Sequence, residues 1–411
     1  MKFSTTWLLL VFLGTCLALV SARTIPKAKY AVLFDAGSSG TRCKVYKLIQ
    51  RQTLHVRDVT QLNVPKPNKA KPGLSSFGES PAGVGPYLQT LIEGAKKVVP
   101  VQYQAQTPVY LFATAGMRLL PVDQKIAVIN EVNNFLRDSK KSPFAFKKGN
   151  AKVISGIDEA TYDWVTVNFL MGALTGESDT EYGVLDMGGA STQNAFDTNN
   201  TQHITVVLDL TKGMLPLYAH SYLGYGEQEA RKRFIRFLVN NRRHNRKVIT
   251  NPCYNSNFEK RVEVDGAEYL MRGGFNPQMC HMIIKSLFFC LSSKKDNCPF
   301  HQQPRLKGKF YSFSLFTYAF RETGVVSKNG ERIDMETLKR KMLSFCGRDL
   351  TEKELANKYT TPRCFQLNFI YSMLTDGYRV DNSFELYNGE SINGLDLNWT
   401  LGAMLSALKV L

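Results

Sequence analysis

The stretch AVLFDAGSSGTR (residues 31–42) joins a short apolar run, 31–34, to Asp35 and then to a series of small residues. The apolar run has the length and composition of a buried strand. Small residues let the backbone approach an anion closely, and successive N–H groups and hydroxyls line a concave phosphate site. Asp35, at the strand end, is placed to hold a metal ion or its water against those phosphates. Taken alone, the pattern is equally that of an ordinary turn.

The stretch YGVLDMGGASTQ (residues 182–193) repeats the same layout. An apolar run leads to Asp186, and Gly188, Gly189, Ala190, Ser191 and Thr192 follow. Two strand–Asp–small-residue units far apart in one chain predict two related lobes that hold one polyphosphate between them.

The first 22 residues have the pattern of a secretory signal peptide. Lys2 supplies the positive start, residues 7–20 are apolar, and small residues at 20–22 precede a cleavage site at Arg23. The alternative is an uncleaved anchor, for which the apolar run is short. We therefore expect a secreted, extracellular protein with no transmembrane anchor in the mature chain.

The cysteines favour disulfides. The chain has eight, of which Cys16 lies in the signal, and export favours bridges over free thiols. Seven leave one unpaired, and Cys43, alone after the first motif, is the candidate. A zinc cluster around Cys298 and His301 is the alternative, but its spacing is not a recognised ligand pattern. The remaining five are Cys253, Cys280, Cys290, Cys346 and Cys364.

Basic residues outnumber acidic ones by 52 to 35, a formal charge of +17 that favours anionic ligands. Eight of the seventeen residues at 231–247 are Arg or Lys. Their apolar neighbours recur at helical spacing, which is typical of an amphipathic helix with a solvated basic face. A contact with a polyanion is the alternative interpretation. No recognition module accompanies it, so we expect no specific nucleic acid.

Strands and helices alternate along the chain, which predicts an α/β fold of two domains. Helical periodicity predicts helices over residues 80–99, 122–136 and 159–170. The predicted strands cover residues 29–34, 44–49, 109–113 and 183–185.

Four motifs in order resemble those of the ecto-nucleoside triphosphate diphosphohydrolases, or apyrases, of the GDA1/CD39 family. They are DAGSSGTR (35–42), ATAGMR (113–118), GIDEATYDWVTVN (156–168) and DMGGASTQ (186–193). The resemblance implies two RNase H-like lobes of the actin/hexokinase/heat-shock ATPase superfamily, with the active site in the interlobe cleft. Lobe one would comprise residues 27–157 and 394–411, and lobe two residues 158–393.

The resemblance also implies roles for single residues. Glu159, at a helix start where the macrodipole favours a carboxylate, would activate the attacking water, with Asp158 beside it as the helix N-cap. Thr114, Ser191 and Gln193 would surround that water. Asp35 and Asp186 would hold Ca²⁺ or Mg²⁺ largely through water. The phosphate-binding set would be Ser38, Ser39, Gly40 and Thr41 on one side and Gly189, Ala190 and Ser191 on the other.

Three further implications concern the periphery of the site. Arg118 and Arg42 are either phosphate clamps or partners of scaffold carboxylates. Tyr318 or Phe316, together with Tyr359 and Arg363, would stack on the nucleotide base. The family's bridge order suggests Cys253–Cys290, Cys280–Cys298 and Cys346–Cys364, although six cysteines permit many pairings.

The leading functional hypothesis is a secreted, cation-dependent apyrase that hydrolyses nucleoside tri- and diphosphates (ATP, ADP, UDP and others) to monophosphates. The first alternative is a secretory-pathway nucleoside diphosphatase with little triphosphatase activity. An exopolyphosphatase or sugar kinase of the same superfamily fits the motifs less well. A non-catalytic nucleotide or polyanion binder is the remaining alternative. An Asn-x-Thr sequon at Asn199 also predicts a glycan in an exported chain.

Overall fold

The computed structural model describes residues 28–51, 53–210, 213–242, 246–289 and 298–411. The predicted signal peptide at 1–22 and Cys290 lie outside the described residues, as do residues 243–245 of the basic segment.

The described residues form strands and helices in alternation. The strands are β1 (Ala28–Gly37), β2 (Gly40–Ile49), β3 (Val59–Leu62), β4 (Lys69–Ala70), β5 (Val109–Ala113), β6 (Ala151–Val153), β7 (Gly183–Met187), β8 (Ser191–Asp197), β9 (Val206–Leu210), β10 (Gly213–Leu223), β11 (Val248–Asn251), β12 (Glu259–Val264), β13 (Ala267–Gly273), β14 (Lys309–Ser314), β15 (Glu331–Ile333), β16 (Glu385–Asn388), β17 (Ser391–Ile392) and β18 (Leu395–Asp396). The helices are α1 (Val84–Val98), α2 (Val101–Gln104), α3 (Ala115–Arg118), α4 (Val122–Arg137), α5 (Gly156–Leu170), α6 (Glu227–Asn240), α7 (Pro277–Phe288), α8 (Leu315–Glu322), α9 (Met335–Gly347), α10 (Glu352–Leu355), α11 (Arg363–Ser372) and α12 (Trp399–Leu408).

Two mixed sheets carry the two motifs. The first has the order β3-β2-β1-β5-β6, with β4 paired to β2, and the second has the order β15-β16-β14-β7-β8-β10-β9. In each sheet the motif strand forms an antiparallel hairpin with the next strand, β1 with β2 and β7 with β8. Each motif strand also has a parallel neighbour on its other side, β5 for β1 and β14 for β7. The sequence repeat is therefore a structural repeat, and the α/β fold class is confirmed.

Helices pack on both faces of each sheet. Along β1, Val32 and Phe34 face a core with α1 and α4, whereas Ala31 and Leu33 face a core with α5 and α12. That second core also contains apolar side chains of β7, β8, β10 and β14, so α5 and α12 lie between the two sheets. A third core joins the far face of the second sheet to α6, α7, α8, α9 and α11. Buried strands with period-two alternation produce these layers.

The predicted elements are present, with shifts at their ends. The helix predicted over 80–99 begins as a 3₁₀ turn at Pro81–Gly83 and continues as α1, because proline is favoured only in a first helical turn. The helices predicted over 122–136 and 159–170 correspond to α4 and α5. The small-residue segment after Asp35 was expected to be a loop. It is a two-residue turn, because β1 runs to Gly37 and β2 already begins at Gly40.

The predicted disulfides are partly wrong. Cys346–Cys364 forms, and Cys43 is a buried free thiol, both as expected. Cys253, however, pairs with Cys280, with a Cα–Cα distance of 5.1 Å. The physical reason is the docking of α7, whose N-cap Asn276 donates its backbone N–H to Pro252 O at 3.0 Å and so sets its first turn against Cys253. Cys298 is also disulfide-bonded, but not to Cys280.

Within the part of the chain that the structure describes, no helix combines the length and apolar character needed to cross a bilayer. Asn199, the predicted glycan acceptor, is exposed in the segment that follows β8.

Candidate active site

The tips of the two hairpins lie against each other. A Cβ built onto Gly189, in the β7–β8 turn, would lie 2.7 Å from Ser38 Oγ in the β1–β2 turn. A side chain at position 189 would force Ser38 Oγ to move, so glycine here allows the close approach of the other hairpin. The turns also match in register, because Asp35 lies opposite Arg42 on β2 and Asp186 lies opposite Gln193 on β8. The two carboxylates thus occupy equivalent positions at one junction.

Glu159 lies in the first turn of α5 and is buried, with 5% of its surface exposed. The helix N-cap is Ser155, whose hydroxyl accepts from the Asp158 N–H at 3.0 Å, while Asp158 accepts from the Ser155 N–H at 3.0 Å. Asp158 is therefore the N3 member of a capping box and not the N-cap that the sequence suggested. The cap fixes the helix start and so the position of Glu159.

A hydrogen-bond network surrounds the Glu159 carboxylate. Arg118 Nη2 donates to Glu159 Oε2 at 2.7 Å and to Ser191 Oγ at 3.1 Å. Gln193 Nε2 lies 3.1 Å from Glu159 Oε2 and 2.6 Å from Ser191 Oγ. Ser221 Oγ accepts from the same Gln193 amide at 2.9 Å. Three of the predicted catalytic residues are thus brought together, and Arg118, which the sequence had left ambiguous, contacts two of them, Glu159 and Ser191.

Thr114, the fourth predicted catalytic residue, directly follows β5 and lies next to the first hairpin. Its backbone N–H donates to Ala36 O at 3.2 Å, and its own carbonyl accepts from the N–H groups of Met117 and Arg118. Thr114 is buried and begins the turn that carries Arg118. It is therefore adjacent to both the hairpin tip and the Glu159 network.

Burial raises the pKa of Glu159 to about 7. The Arg118 guanidinium opposes this rise, whereas the carboxylates of Asp186 and Asp35 add to it. A carboxylate whose pKa lies near neutrality can accept a proton in the physiological range and return it to solvent. The arrangement suits a general base.

Asp35 and Asp186 are both held at higher pKa than usual, mainly by burial, and Asp186 reaches about 6. Arg42 Nη1 donates to Asp35 at 3.3 Å, and the Ser314 hydroxyl hydrogen-bonds Asp186. Asp186 Oδ1 is buried and has no hydrogen-bond partner among the described residues. An unsatisfied buried carboxylate oxygen beside a second carboxylate fits a hard, oxygen-binding cation.

Within the described ranges, no group of three or more His, Cys, Asp or Glu residues is placed to hold a metal ion. The two carboxylates of Asp35 and Asp186 are the donors that fit a hard, oxygen-binding divalent cation here.

The predicted phosphate-binding residues divide into two groups. Ser38 and Ser39 form the tip of the first hairpin, with Gly40 beside them at φ 148°, and Gly189 and Ala190 form the tip of the second. Thr41, in contrast, is fully buried, and its backbone N–H and Oγ1 lie 3.0 and 2.9 Å from Tyr87 Oη. The Thr41 N–H and Oγ1 are therefore already hydrogen-bonded to Tyr87, and phosphate binding by Thr41 stays a prediction.

The predicted base-stacking residues also divide. Tyr318, on α8, and Tyr359 are each 56% exposed, whereas Phe316 is fully buried. The side chain of Arg363 is 4% exposed and forms two bonds to Glu322, with Nη2–Oε1 at 2.7 Å and Nε–Oε2 at 2.8 Å. Arg363 is therefore not available to stack on a base, because it joins α11 to α8.

Sequence reasoning missed three positioning residues. Ser221 enters from β10, and Ser314 ends β14 with φ 56° and ψ −123°, a positive-φ conformation that is rare for serine and costs roughly 1–3 kcal/mol. Tyr87 Oη lies 2.8 Å from Pro72 O and within hydrogen-bond distance of Thr41. All three act across the fold, so only a three-dimensional arrangement reveals them.

Residues 231–240 of the basic segment form most of α6. Among its described cations, Arg231, Lys232 and Arg236 form ion pairs with Glu227, Glu229 and Asp265. Arg233 lies over the rings of Tyr225 and Phe288. This pairing agrees with the interpretation of an amphipathic helix with a solvated face.

Comparison with known proteins places this arrangement in a family. Residues 23–411 match the GDA1/CD39 (nucleoside phosphatase) family. The chain belongs to that family. It is therefore an enzyme, a hydrolase of nucleoside phosphates, and the paired hairpins and the Glu159 network form its candidate active site.

Several similar proteins align over nearly the whole of this family member. It is 31% identical to human nucleoside diphosphate phosphatase ENTPD5, covering 99% of this chain and 93% of the relative. It is 30% identical to bovine ectonucleoside triphosphate diphosphohydrolase 1, covering 95% and 83% of the two chains. The nucleoside-diphosphatase mig-23 of Caenorhabditis elegans is also 30% identical, with 95% and 80% covered.

Among solved structures, a nucleoside triphosphate hydrolase from Neospora caninum superimposes with a TM-score of 0.72 at 16% identity. The match covers 92% of each chain. At this identity the likeness establishes the shared fold of this GDA1/CD39 family member.

Proposed function

We propose that this GDA1/CD39 family member is a secreted apyrase that hydrolyses nucleoside tri- and diphosphates to monophosphates and phosphate. The observation that carries the proposal is the position of Glu159, a buried base with a pKa near 7, beside two facing hairpin tips. The predicted signal at residues 1–22 supports secretion. Residues 27–157 with 394–411 would form one lobe and residues 158–393 the other.

The two hairpins would hold neighbouring phosphates of one substrate. Ser38, Ser39 and Gly40 present a hydroxyl-rich tip from the first lobe, and Gly189, Ala190 and Ser191 present backbone N–H groups from the second. A divalent cation, when bound near Asp35 and Asp186, would neutralise phosphate charge, the main electrostatic requirement of phosphoryl transfer.

Hydrolysis then needs one oriented water. Glu159 would take a proton from that water as its oxygen attacks the terminal phosphorus, and the bond to the bridging oxygen would break to release the shortened nucleotide. Ser191 and Gln193 would orient the water, and Arg118 would keep the Glu159 carboxylate in place. The proton leaves Glu159 for solvent before the next turnover.

The nucleotide base would lie between Tyr318 and Tyr359. Tyr318 is one turn into α8, which begins directly after Ser314, the partner of Asp186. Stacking on aromatic rings tolerates any base, so broad nucleotide specificity is expected.

A nucleoside diphosphatase with little triphosphatase activity is the second candidate. It is supported by the named diphosphatases among the relatives, which are as similar to this chain as a named triphosphate diphosphohydrolase. The motifs are shared by both activities and do not separate them.

Phosphate release from ATP, ADP and UDP, each measured with Ca²⁺, with Mg²⁺ and with EDTA, decides between the candidates. Cation-dependent release from both ATP and ADP, ending in AMP, supports the apyrase. Release from diphosphates alone supports the diphosphatase. No release with any cation would contradict both and favour a nucleotide-binding protein.

A further inference from the structure

The rim of the first hairpin carries positive charge that ion pairs do not balance. Arg42 on β2 lies directly opposite Lys69 on β4. Like charges in directly opposite positions destabilise a strand pair. Arg42 contacts Asp35 at 3.3 Å, but Lys69 forms no ion pair among the described residues. The exposed Lys71, two residues further on, adds a third cation.

Lys69 is placed over the hairpin tip. Its Nζ lies 3.5 Å from Ser39 Oγ, and a Cβ built onto Gly40 would lie 2.8 Å from Lys69 Cε. A side chain at position 40 would therefore collide with the lysine, besides being strained at φ 148°. Burial, together with the charges of Arg42 and Lys71, lowers the pKa of Lys69 to about 8.

The segment that carries Lys69 is anchored. Asn68 O accepts from the Cys43 N–H at 2.9 Å, and Tyr87 Oη lies 3.2 Å from Ala70 O and 2.8 Å from Pro72 O. These contacts hold the half-buried ammonium beside a guanidinium. A bound anion between the two cations would offset the electrostatic cost of this arrangement.

We propose that Lys69, with Arg42 and Lys71, forms an anion subsite at the lip of the β1–β2 hairpin that binds a phosphate of the substrate and favours longer phosphate chains. This inference rests on the proposed function for the identity of the substrate. Lys69 supplies a point charge with three donors, which suits a phosphate group whose orientation varies between substrates. A longer phosphate chain carries more negative charge, so three cations attract it more strongly than a shorter one.

The test uses the Glu159→Gln protein, which removes turnover, and measures equilibrium binding of inorganic tripolyphosphate and pyrophosphate in the presence of Mg²⁺. Adding Lys69→Met should weaken tripolyphosphate binding about tenfold or more, the effect of losing one charge-assisted bond. The loss for pyrophosphate should be smaller, and Lys69→Arg should retain most of the affinity. The control, Lys47→Met, removes a partly buried lysine from the far end of β2 and should change neither affinity.

Each result has one meaning. The subsite would be overturned if Lys69→Met and Lys69→Gln, each added to Glu159→Gln, bound both anions as tightly as Glu159→Gln alone. Melting temperatures confirm that the variants are folded. Equal losses for the two anions would overturn its preference for longer chains. If the wild-type enzyme released no phosphate from any nucleotide while Lys69→Met still weakened tripolyphosphate binding, the subsite would stand and the proposed function would fail.

Discussion

Arg118 and Glu159 form an ion pair, with Nη2 and Oε2 2.7 Å apart, and both side chains are largely buried. The same guanidinium donates to Ser191 Oγ and to Ile154 O. Arg118 therefore connects the two sheets through the residues around the base, and it also sets the protonation of that base, because its charge opposes the rise in the pKa of Glu159.

Arg118→Met should move the acid limb of kcat/KM toward higher pH. Without the guanidinium, burial and the neighbouring carboxylates raise the pKa of Glu159 further, by about one unit or more. The active, deprotonated form then appears only at higher pH. A pH profile of kcat/KM between 5.5 and 9 measures the shift. Arg137→Met, an exposed arginine on α4, is the control. An unshifted limb with reduced kcat would show that Arg118 acts only on substrate.

Glu159→Gln should lower kcat by roughly 10²- to 10⁴-fold while leaving nucleotide binding nearly intact. The amide cannot accept the proton of the attacking water. In the wild type, kcat/KM should fall as pH drops below about 7, because protonation of Glu159 removes the base. Rapid-quench turnover and equilibrium titration with ADP separate the two effects. Retention of most of the rate would contradict the assignment of Glu159 as base.

The sequence was sufficient for the features that depend on local pattern. The two strand–Asp–small-residue units became two hairpins with matched registers, because alternating burial and small residues at a turn act within a few positions. Glu159 was assigned from the resemblance of its motif to the family, and the structure places it in the first turn of α5, where burial raises its pKa to about 7.

Features that depend on packing across the chain were not found. The Cys253–Cys280 bridge follows from the docking of α7 against Pro252, which no spacing of cysteines reveals. Thr41 and Arg363 had suitable chemistry for phosphate and base, but Tyr87 and Glu322, both distant in sequence, use their polar groups. The pairing of Arg118 with Glu159 is of the same kind.

Asp163→Asn should stabilise the protein at pH 8 more than at pH 5. Asp163 lies one turn after Glu159 on α5, is fully buried, and has no hydrogen-bond partner for either carboxyl oxygen among the described residues. Burial raises its pKa well above the usual value, helped by Asp186, Glu159 and Asp35. Its proton stabilises the native state below the unfolded pKa, and this contribution is lost as pH rises.

The expected gain at pH 8 is a few degrees in melting temperature, corresponding to about 1 kcal/mol in a protein of this size. Thermal melts followed by circular dichroism at both pH values measure it. Asp123→Asn, which removes an exposed carboxylate from the first turn of α4, should show no such gain. A lower melting temperature for Asp163→Asn at pH 8 would mean that a charged Asp163 is stabilised in the native state.

Tyr318→Ala and Tyr359→Ala should each raise the KM for nucleotides without weakening the binding of inorganic phosphate chains. Both rings are exposed, and base stacking contributes roughly 1–3 kcal/mol per base. Glu322, one turn after Tyr318, bonds Arg363 at the start of α11, and Tyr359 lies in the turn just before that helix. The KM for ADP is measured for each tyrosine variant, and the tripolyphosphate affinity is measured for the same variant combined with Glu159→Gln. A change in the KM alone is the contribution of the base. Phe316→Leu, a buried change on the same helix, is the control. Equal losses for ADP and tripolyphosphate would show that the tyrosines support the fold of the cleft and do not contact the base.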